Sequence, residues 1–442
     1  MATALNKFSR LAALKPARAV TVHAPTLREP SEEDTLARLL GAGVSRNRFG
    51  EHLAVRNWFS TPEFVAPQSE CLKLLSQHRD QAVSRRNRAA LEDPEKWLFL
   101  DTETTGLAGG TGTYAFLIGL AWWDAGGLQV EQLFMRDFAE EHSVLCQLAA
   151  HLSERPVLVT FNGKTFDWPL LENRFRMTRS IPVPNIATHL DLLHTARALW
   201  KFRLGAVRLI DLERQVLDPV LLGWRRDEDI SSKFIPQFYF DYLRGGPPEP
   251  LLGVSRHNQM DLRGLAALFG KINALLAKGM TPDDDIHGLD LFGLSKFLHR
   301  RGDKGRAQIA CAQAVDLGLP LEFHARAQCD LALMAKRRGE HARAAEIWHE
   351  VAADSEDHLH ACQQLAIHYE RRIKDYHKAL EFAHRVRALL RARARRESMF
   401  SRGQLARRED ASTKRIQRLE ARLTKRNGGL LELAGLNRDG ED

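Results

Sequence analysis

No stretch of the 442 residues approaches the ~18 consecutive apolar residues that a membrane-spanning helix requires. The N-terminus also lacks the basic start, apolar run and small-residue cleavage site of a secretory signal. Both absences lead to the expectation of a cytoplasmic protein without membrane contact. Cysteine is scarce: Cys71, Cys146, Cys311, Cys329 and Cys362 are scattered and form no CxxC pair. That pattern fits reduced thiols and excludes a zinc site built on cysteine. Any metal must then be held mainly by oxygen. Compositional bias is missing too, since 44% of residues are hydrophobic and 27% charged, the proportions of an ordinary folded chain. The length exceeds the size at which single cores stop growing, so two or three domains are expected. What the chain has in surplus is positive charge, +8 overall, which suits a polyanionic partner once that charge has a location.

Four stretches separate along the chain. Residues 1–94 mix short apolar runs with basic turns such as Ser45-Arg46-Asn47-Arg48-Phe49-Gly50 and carry no motif, leaving an N-terminal extension of unknown role. Residues 95–278 alternate strand and helix signals. Strands are expected over Trp97 to Asp101, Tyr114 to Trp123, Leu128 to Arg136 and Val157 to Phe161, with a fifth near Leu190 to Leu193. A helix is expected over Ala139 to Ser153, a hairpin at Ala125-Gly126-Gly127, and a last helix from near Val254 to Ala277 after the Pro/Gly-rich break at Arg244 to Pro250. The fold class is thus an α/β domain with a mixed sheet flanked by helices. In residues 286–397 strand signals vanish and a helix-turn-helix phrase recurs, as in Arg300-Arg301-Gly302-Asp303 and Arg337-Arg338-Gly339-Glu340. Its small residues Ala307, Ala344 and Ala379 stand 37 and 35 positions apart, close to the ~34-residue period of tetratricopeptide repeats. Such arrays bind protein partners or pack on their own catalytic domain.

Residues 398–442 form a basic, partly disordered tail. Between His384 and Asn427 fifteen Lys or Arg face four Asp or Glu, a local surplus larger than that of the whole chain. Two readings stand: a solvated final helix that frays into a disordered end, or a contact to a phosphate backbone. Base stacking there has no support, as Phe400 is almost the only aromatic.

The chemistry-bearing residues fall in three places. Asp101 and Glu103 end the first strand of the α/β domain two residues apart, so that an extended chain points both carboxylates to one face. Asn162, Lys164 and Asp167 follow the Val157 strand, with Asp167 near the start of the next helix, where an acidic residue is also favoured by the macrodipole. His257 and Asp261 stand at i and i+4 on one face of a late helix. Each piece alone has an innocent explanation as a salt bridge, cap or surface pair. Asp191, where the fifth strand ends, is expected to play a supporting or structural role, and Trp122, Trp123 and Trp168 are expected to pack rather than to stack bases.

Taken in order, DxE on a first strand, N-x4-D after a later strand and H-x3-D on a late helix resemble the three motifs of the DEDD exonuclease superfamily, over roughly residues 95 to 275. The continuation Gly109-Gly110-Thr111-Gly112-Thr113-Tyr114 and the stretch from Asp229-Ile230 through Ile235-Pro236 to Tyr242-Leu243 look most like the YprB-type ribonuclease H-like domain, which can be followed by tetratricopeptide repeats. The resemblance implies an α/β ribonuclease H-like fold and two ions of Mg²⁺ or Mn²⁺, held by Asp101, Glu103, Asp167 and Asp261. It implies His257 as proton acceptor, and Asn162, Lys164 and Thr104 near the substrate. One spacing departs from it, because most histidine-type members place the histidine one residue further from the aspartate. The expected activity is 3′–5′ hydrolysis of single-stranded DNA or RNA by a two-metal-ion mechanism. The alternative is a non-catalytic nucleic-acid-binding adaptor that assembles partners on its helical repeats.

Overall fold

The run Trp97-Leu98-Phe99-Leu100 is apolar without alternation, the pattern of a strand covered on both faces. In the computed structural model all four residues are buried in a seven-stranded sheet. The structure describes residues 34–60, 75, 89–106, 112–217, 226, 229–278, 287–354, 359–396 and 399–436. The chain divides into two compact units, residues 1–283 and 284–442.

The first unit contains the sheet. After helix α1 (Thr35–Leu40) come β1 (Gly43–Asn47), β2 (Gly50–Ser60), β3 (Trp97–Thr104), β4 (Ala115–Asp124), β5 (Gly127–Phe134), β6 (Val157–Thr160) and β7 (Thr188–Asp191), arranged β1-β2-β5-β4-β3-β6-β7. Strands β1 to β5 pair antiparallel, whereas β6 runs parallel to both β3 and β7. The sheet is therefore mixed, as expected. It also begins well before residue 95: β2 pairs with β5 from Leu53↔Phe134 to Ser60↔Gly127. The extension thus covers what would otherwise be an exposed edge of β5, and the basic turn of Ser45 to Gly50 is the β1–β2 hairpin. The β4–β5 turn closes as the sequence suggests, with Ala125 and Gly126 at φ +49° and +80°, the left-handed pair of a type I′ turn. The glycine-rich continuation after β3 falls largely on residues 107–111, outside the described residues.

The helices of this unit are α2 (Glu141–Glu154), α3 (Asp167–Thr178), α4 (Leu192–Leu204), α5 (Leu209–Gln215), α6 (Ile235–Leu243) and α7 (Glu249–Lys278). Two boundaries differ from expectation. The fifth strand stops at Asp191, whose side chain accepts from the Leu193 amide and so starts α4. Helix α7 begins five residues before Val254, because Pro250 lies in its first turn, where the missing N–H has no intrahelical partner to lose. Alternation along β3 sorts its side chains. Trp97 and Phe99 pack edge-on against Phe269 of α7, while Leu98 and Leu100 join Leu148, Leu152, Leu171 and Phe175 of α2 and α3. Trp122 and Trp168 pack half-buried against that cluster, and Trp123 lies edge-on to Phe99.

The second unit is helical among its described residues: α8 (Gly288–Arg300), α9 (Lys304–Asp316), α10 (Leu321–Arg337), α11 (His341–Asp354), α12 (Leu359–His368), a π-helical turn (Tyr369–Ile373), α13 (Tyr376–Arg396) and α14 (Met399–Leu436). Consecutive helices pack on one another. The recurring phrase ends one helix and starts the next. Gly302 and Gly339 take left-handed conformations at φ +88° and +89°, and Asp303 caps α9 by accepting from the Arg306 amide. Ala307, Ala344 and Ala379 are fully buried, so the spacing read in sequence marks the positions of closest helix approach. The expected fraying tail is instead continuous helix from Met399 to Leu436, because Ile416 and Leu419 pack against Ala379 and Ala383 of α13. Residues 437–442 lie outside the described residues. Among the described residues no helix is long and apolar enough to cross a membrane.

Ala344→Leu is expected to destabilise the helical unit by about 1–3 kcal/mol through overpacking, read as a lower urea midpoint in circular dichroism. An unchanged midpoint would show that the site is not tightly packed.

Candidate active site

Beyond Phe99, the face of β3 that meets α7 carries Asp101 and Glu103. Helix α7 brings His257, Asn258 and Asp261 toward it, and its rotation is set by a buried chain of amides. Asn258, fully buried, donates through Nδ2 to Asp101 Oδ2 at 2.9 Å and accepts at Oδ1 from Gln132 Nε2 of β5 at 2.9 Å. Gln132 also exchanges hydrogen bonds with Ser255, one turn earlier on α7. Buried amides must find partners, so this chain locks the register of α7 against the sheet. Gly119 of β4, opposite Asp101, makes the approach possible: a Cβ there would lie 2.1 Å from Asn258 Oδ1.

Asp167 opens α3 and comes from the other side. Thr102, on the opposite face of β3 from its neighbours Asp101 and Glu103, donates to Asp167 Oδ1 at 2.5 Å. The loop leading there is held by Asp191. Its Oδ1 accepts from the Asn162 amide at 2.8 Å and its Oδ2 from the Lys164 amide at 3.1 Å, with Asn162 in a left-handed conformation at φ +69°. One carboxylate thus organises both this loop and the start of α4.

His257 is buried between two carboxylates. Its Nδ1 lies 2.8 Å from Asp229 Oδ1, and its Nε2 is 3.5 Å from Asp261 Oδ2 and 3.3 Å from Ser232 Oγ. The other oxygen of Asp261 accepts from Arg226, which also holds Glu213 with a forked pair of bonds and Asp229 at 3.0 Å. Arg226 is buried among these three acids, an arrangement for which the planar guanidinium is suited.

Burial and like charge raise the proton affinity of the carboxylates. Burial, then repulsion from Asp261, Glu103 and Asp167, lifts Asp101 well above the usual carboxylate range, against the Asn258 hydrogen bond. Burial, reinforced by Asp261, Asp167 and Asp229, lifts Glu103 to about 8 despite the attraction of His257. Asp167 rises to about 6, mainly by burial with help from Asp191 and against Thr102. For His257 burial acts downward, but the Asp229 hydrogen bond and the charges of Asp261 and Glu103 outweigh it and raise the imidazole to about 9. Asp101 and Glu103 each feel the charges of Asp261 and Asp167, so the four sit in one electrostatic neighbourhood.

Sequence-predicted residues divide accordingly. Asp101, Glu103, Asp167, Asp261 and His257 come together, and Asp191 supports the loop. Thr104 does something else, donating to the Gly106 carbonyl and bracing the turn after β3. Asn258, Gln132, Asp229, Arg226 and Thr102 were missed. Amides and alternate-face threonines carry no motif until the fold shows their partners. Phe166, next to Asp167 and 57% exposed, was missed as well, although an exposed phenylalanine beside an acidic site is unusual. Among the described residues no three His, Cys, Asp or Glu side chains stand close enough to hold one metal ion as they lie. The donor chemistry fits a hard divalent cation all the same: the carboxylates supply oxygen only, are largely buried, and repel one another.

For the metal-free chain the sign of the pH dependence follows. Raised carboxyl pKa values favour the protonated folded form, so this contribution is complete below the ordinary carboxylate range. It is lost as pH rises through about 6 for Asp167 and about 8 for Glu103. The melting temperature in EDTA should therefore fall across that window, and Glu103→Gln should remove the upper part of the fall. A parallel pH profile for wild type and variant would refute the assignment of Glu103.

Comparison with known proteins agrees with the fold. Residues 98–273 match the profile of the RNase_H superfamily. The chain is 29% identical over 373 residues to the uncharacterized protein YprB of Bacillus subtilis (strain 168), covering 77% of this chain and 87% of that protein. Over that stretch the first unit is thus similar to the ribonuclease H superfamily, in keeping with its mixed sheet flanked by helices.

Proposed function

We propose that the protein is a metal-dependent nuclease, a DEDD-type 3′–5′ exonuclease that hydrolyses phosphodiester bonds of single-stranded DNA or RNA. The observation that carries this reading is the meeting of Asp101, Glu103, Asp167 and Asp261, drawn from three separate segments, beside His257 in a ribonuclease H-like sheet. The four carboxylates would hold two ions of Mg²⁺ or Mn²⁺. When bound, these supply Lewis-acid activation of water and neutralise charge on the phosphodiester oxygens.

The chain's own residues do the rest. His257 accepts the nucleophile's proton at Nε2, the nitrogen beside Asp261 and Ser232, while Asp229 holds the proton on Nδ1. Of the carboxylates that raise His257, Asp261 and Glu103 are proposed to take the cations, so neutralising them lets the imidazole move down toward the range in which its neutral form can act as a base, while Asp229 still favours the charged form. Lys164 and Asn162 are the proposed substrate contacts, since Asp191 holds both through their backbone amides and not through their side chains, whereas Thr104 braces its turn. The helical pairs of the second unit, read as tetratricopeptide-like from their spacing, are proposed to take a protein partner.

One observation favours the adaptor reading, in which the domain binds nucleic acid without cutting it: Asp261 is engaged by Arg226 rather than free. Cleavage of 5′- and 3′-labelled DNA and RNA strands with Mg²⁺ or Mn²⁺ separates the two. The nuclease reading expects shortening from the 3′ end, abolished by Asp101→Asn and slowed about 10²–10⁴-fold by His257→Ala, the usual scale for loss of a general base. Wild type that binds strands but cuts none with either metal leaves the adaptor. Asp229→Asn is expected to lower kcat with little change in KM, because it disturbs the imidazole and not the strand. A KM effect alone would remove Asp229 from that role.

A further inference from the structure

The basic surplus that the sequence places between His384 and Asn427 has a defined architecture in the second unit. The π-helical turn Tyr369–Ile373 buries Glu370, which is 5% exposed, and π turns often mark functional positions. Three arginines of α14, at i, i+3 and i+7, converge on this one carboxylate. Arg418 reaches it at 2.8 and 3.1 Å, and Arg415 and Arg422 at 3.4 Å. Arg422 also lies over the ring of Tyr376, 5.6 Å from its centroid. A cavity of about 430 Å³ opens above the cluster, lined by Glu370, Arg371, Lys374, Tyr376, Arg418 and Arg422. Arg371 and Lys374 are exposed, and among the described residues neither has an ion pair.

If the arginines served only to fasten α14 to the turn, one carboxylate would need one or two of them. Five cations instead surround a single acid, and Arg418 and Arg422 each keep 46% of their side-chain surface in water. Glu370 orients guanidinium groups whose charge it cannot neutralise, which is a surplus arranged for an external anion. A second cavity, of about 420 Å³, is lined by His384, Arg387, Arg391 and Arg395 on one face of α13, a row about 16 Å long at the rise of an α-helix.

We infer that the π turn and the α13–α14 hairpin bind the phosphate backbone of a nucleic-acid strand, with the Glu370-floored cavity seating one phosphate. Arg387, Arg391 and Arg395 follow one another on one face of α13, with Arg391 also paired to Glu409, a spacing that matches a linear, repeating polyanion. The Tyr376 ring is covered by Arg422, so no base-stacking platform is offered and binding is independent of sequence. A lipid surface would call for a stripe of exposed apolar side chains beside the cations, whereas the π turn exposes one large apolar side chain, Ile373, and the α13 cavity is lined apart from its basic residues by alanines. The inference rests on nucleic acid being the partner but not on its hydrolysis.

The test uses the full chain in EDTA, so that strands stay intact, and compares wild type with Arg371→Gln/Lys374→Asn. Both positions are exposed, and Asn suits the left-handed conformation at residue 374, φ +60°. Fluorescence anisotropy with labelled single-stranded DNA and RNA is followed as a function of salt. The variant should bind several-fold more weakly to every sequence, with the slope of log K against log salt reduced by about 0.7, the value for one lost phosphate contact on a single strand, and an unchanged melting temperature. Equal affinity and equal slope would overturn the site, as would wild type that binds no strand. Loss of binding to phosphatidylserine vesicles but not to strands would assign the cluster to a membrane and likewise overturn it. Cleavage is measured separately, so a chain that binds through this site yet cuts nothing removes the nuclease reading and leaves the site standing.

Discussion

Carboxylates gathered in a protein interior repel one another, and the first unit is organised around containing that repulsion. Asp101, Asp167 and Asp261 each have a hydrogen-bond donor from a different element: Asn258 of α7, Thr102 of β3 and the buried guanidinium of Arg226. Glu103 is balanced mainly by the charge of His257. Desolvation penalises every ionised form, so the cluster would be a liability in a domain selected for stability alone. Its presence at the end of an interior strand, where β3 has passed beyond the core residues Trp97 to Leu100, is a functional sign.

Position within the cluster is decided by a few backbone-level details. The absence of a side chain at Gly119 lets Asn258 reach Asp101, and the amide chain through Gln132 fixes the rotation of α7. Once that rotation is set, the i, i+4 relation aims His257 and Asp261 at the same space. On the far side Asp191 ties the loop of Asn162 and Lys164 to the end of β7, which places Asp167 beneath Thr102. A carboxylate outside the proposed metal-ligand set is thus as necessary to the geometry as the members inside it.

Arginine is used in two ways. Arg226 is buried among Glu213, Asp229 and Asp261 and neutralises acid within the unit. On α13 and α14 the balance is reversed, with Glu370 gathering Arg415, Arg418 and Arg422 while much of their charge faces water. The first arrangement holds a site together, and the second offers charge to a partner.

Local pattern alone determined the strands around Trp97, Tyr114, Leu128 and Val157, the hairpin at Ala125-Gly126 and the alanine spacing of the helical unit. Each of these depends on periodicity or residue type within a short window, where backbone geometry dictates which side chains share a face. The pairing of β2 with β5, the helical continuity of residues 399–436 and the roles of Asn258, Asp229, Arg226 and Thr102 were decided only in the tertiary structure. A hydrogen bond between residues 157 positions apart, such as that from Asn258 to Asp101, has no local signature. It exists because the sheet and α7 bring the two groups together where water is excluded, so that the Asn258 amide must find its partners within the protein.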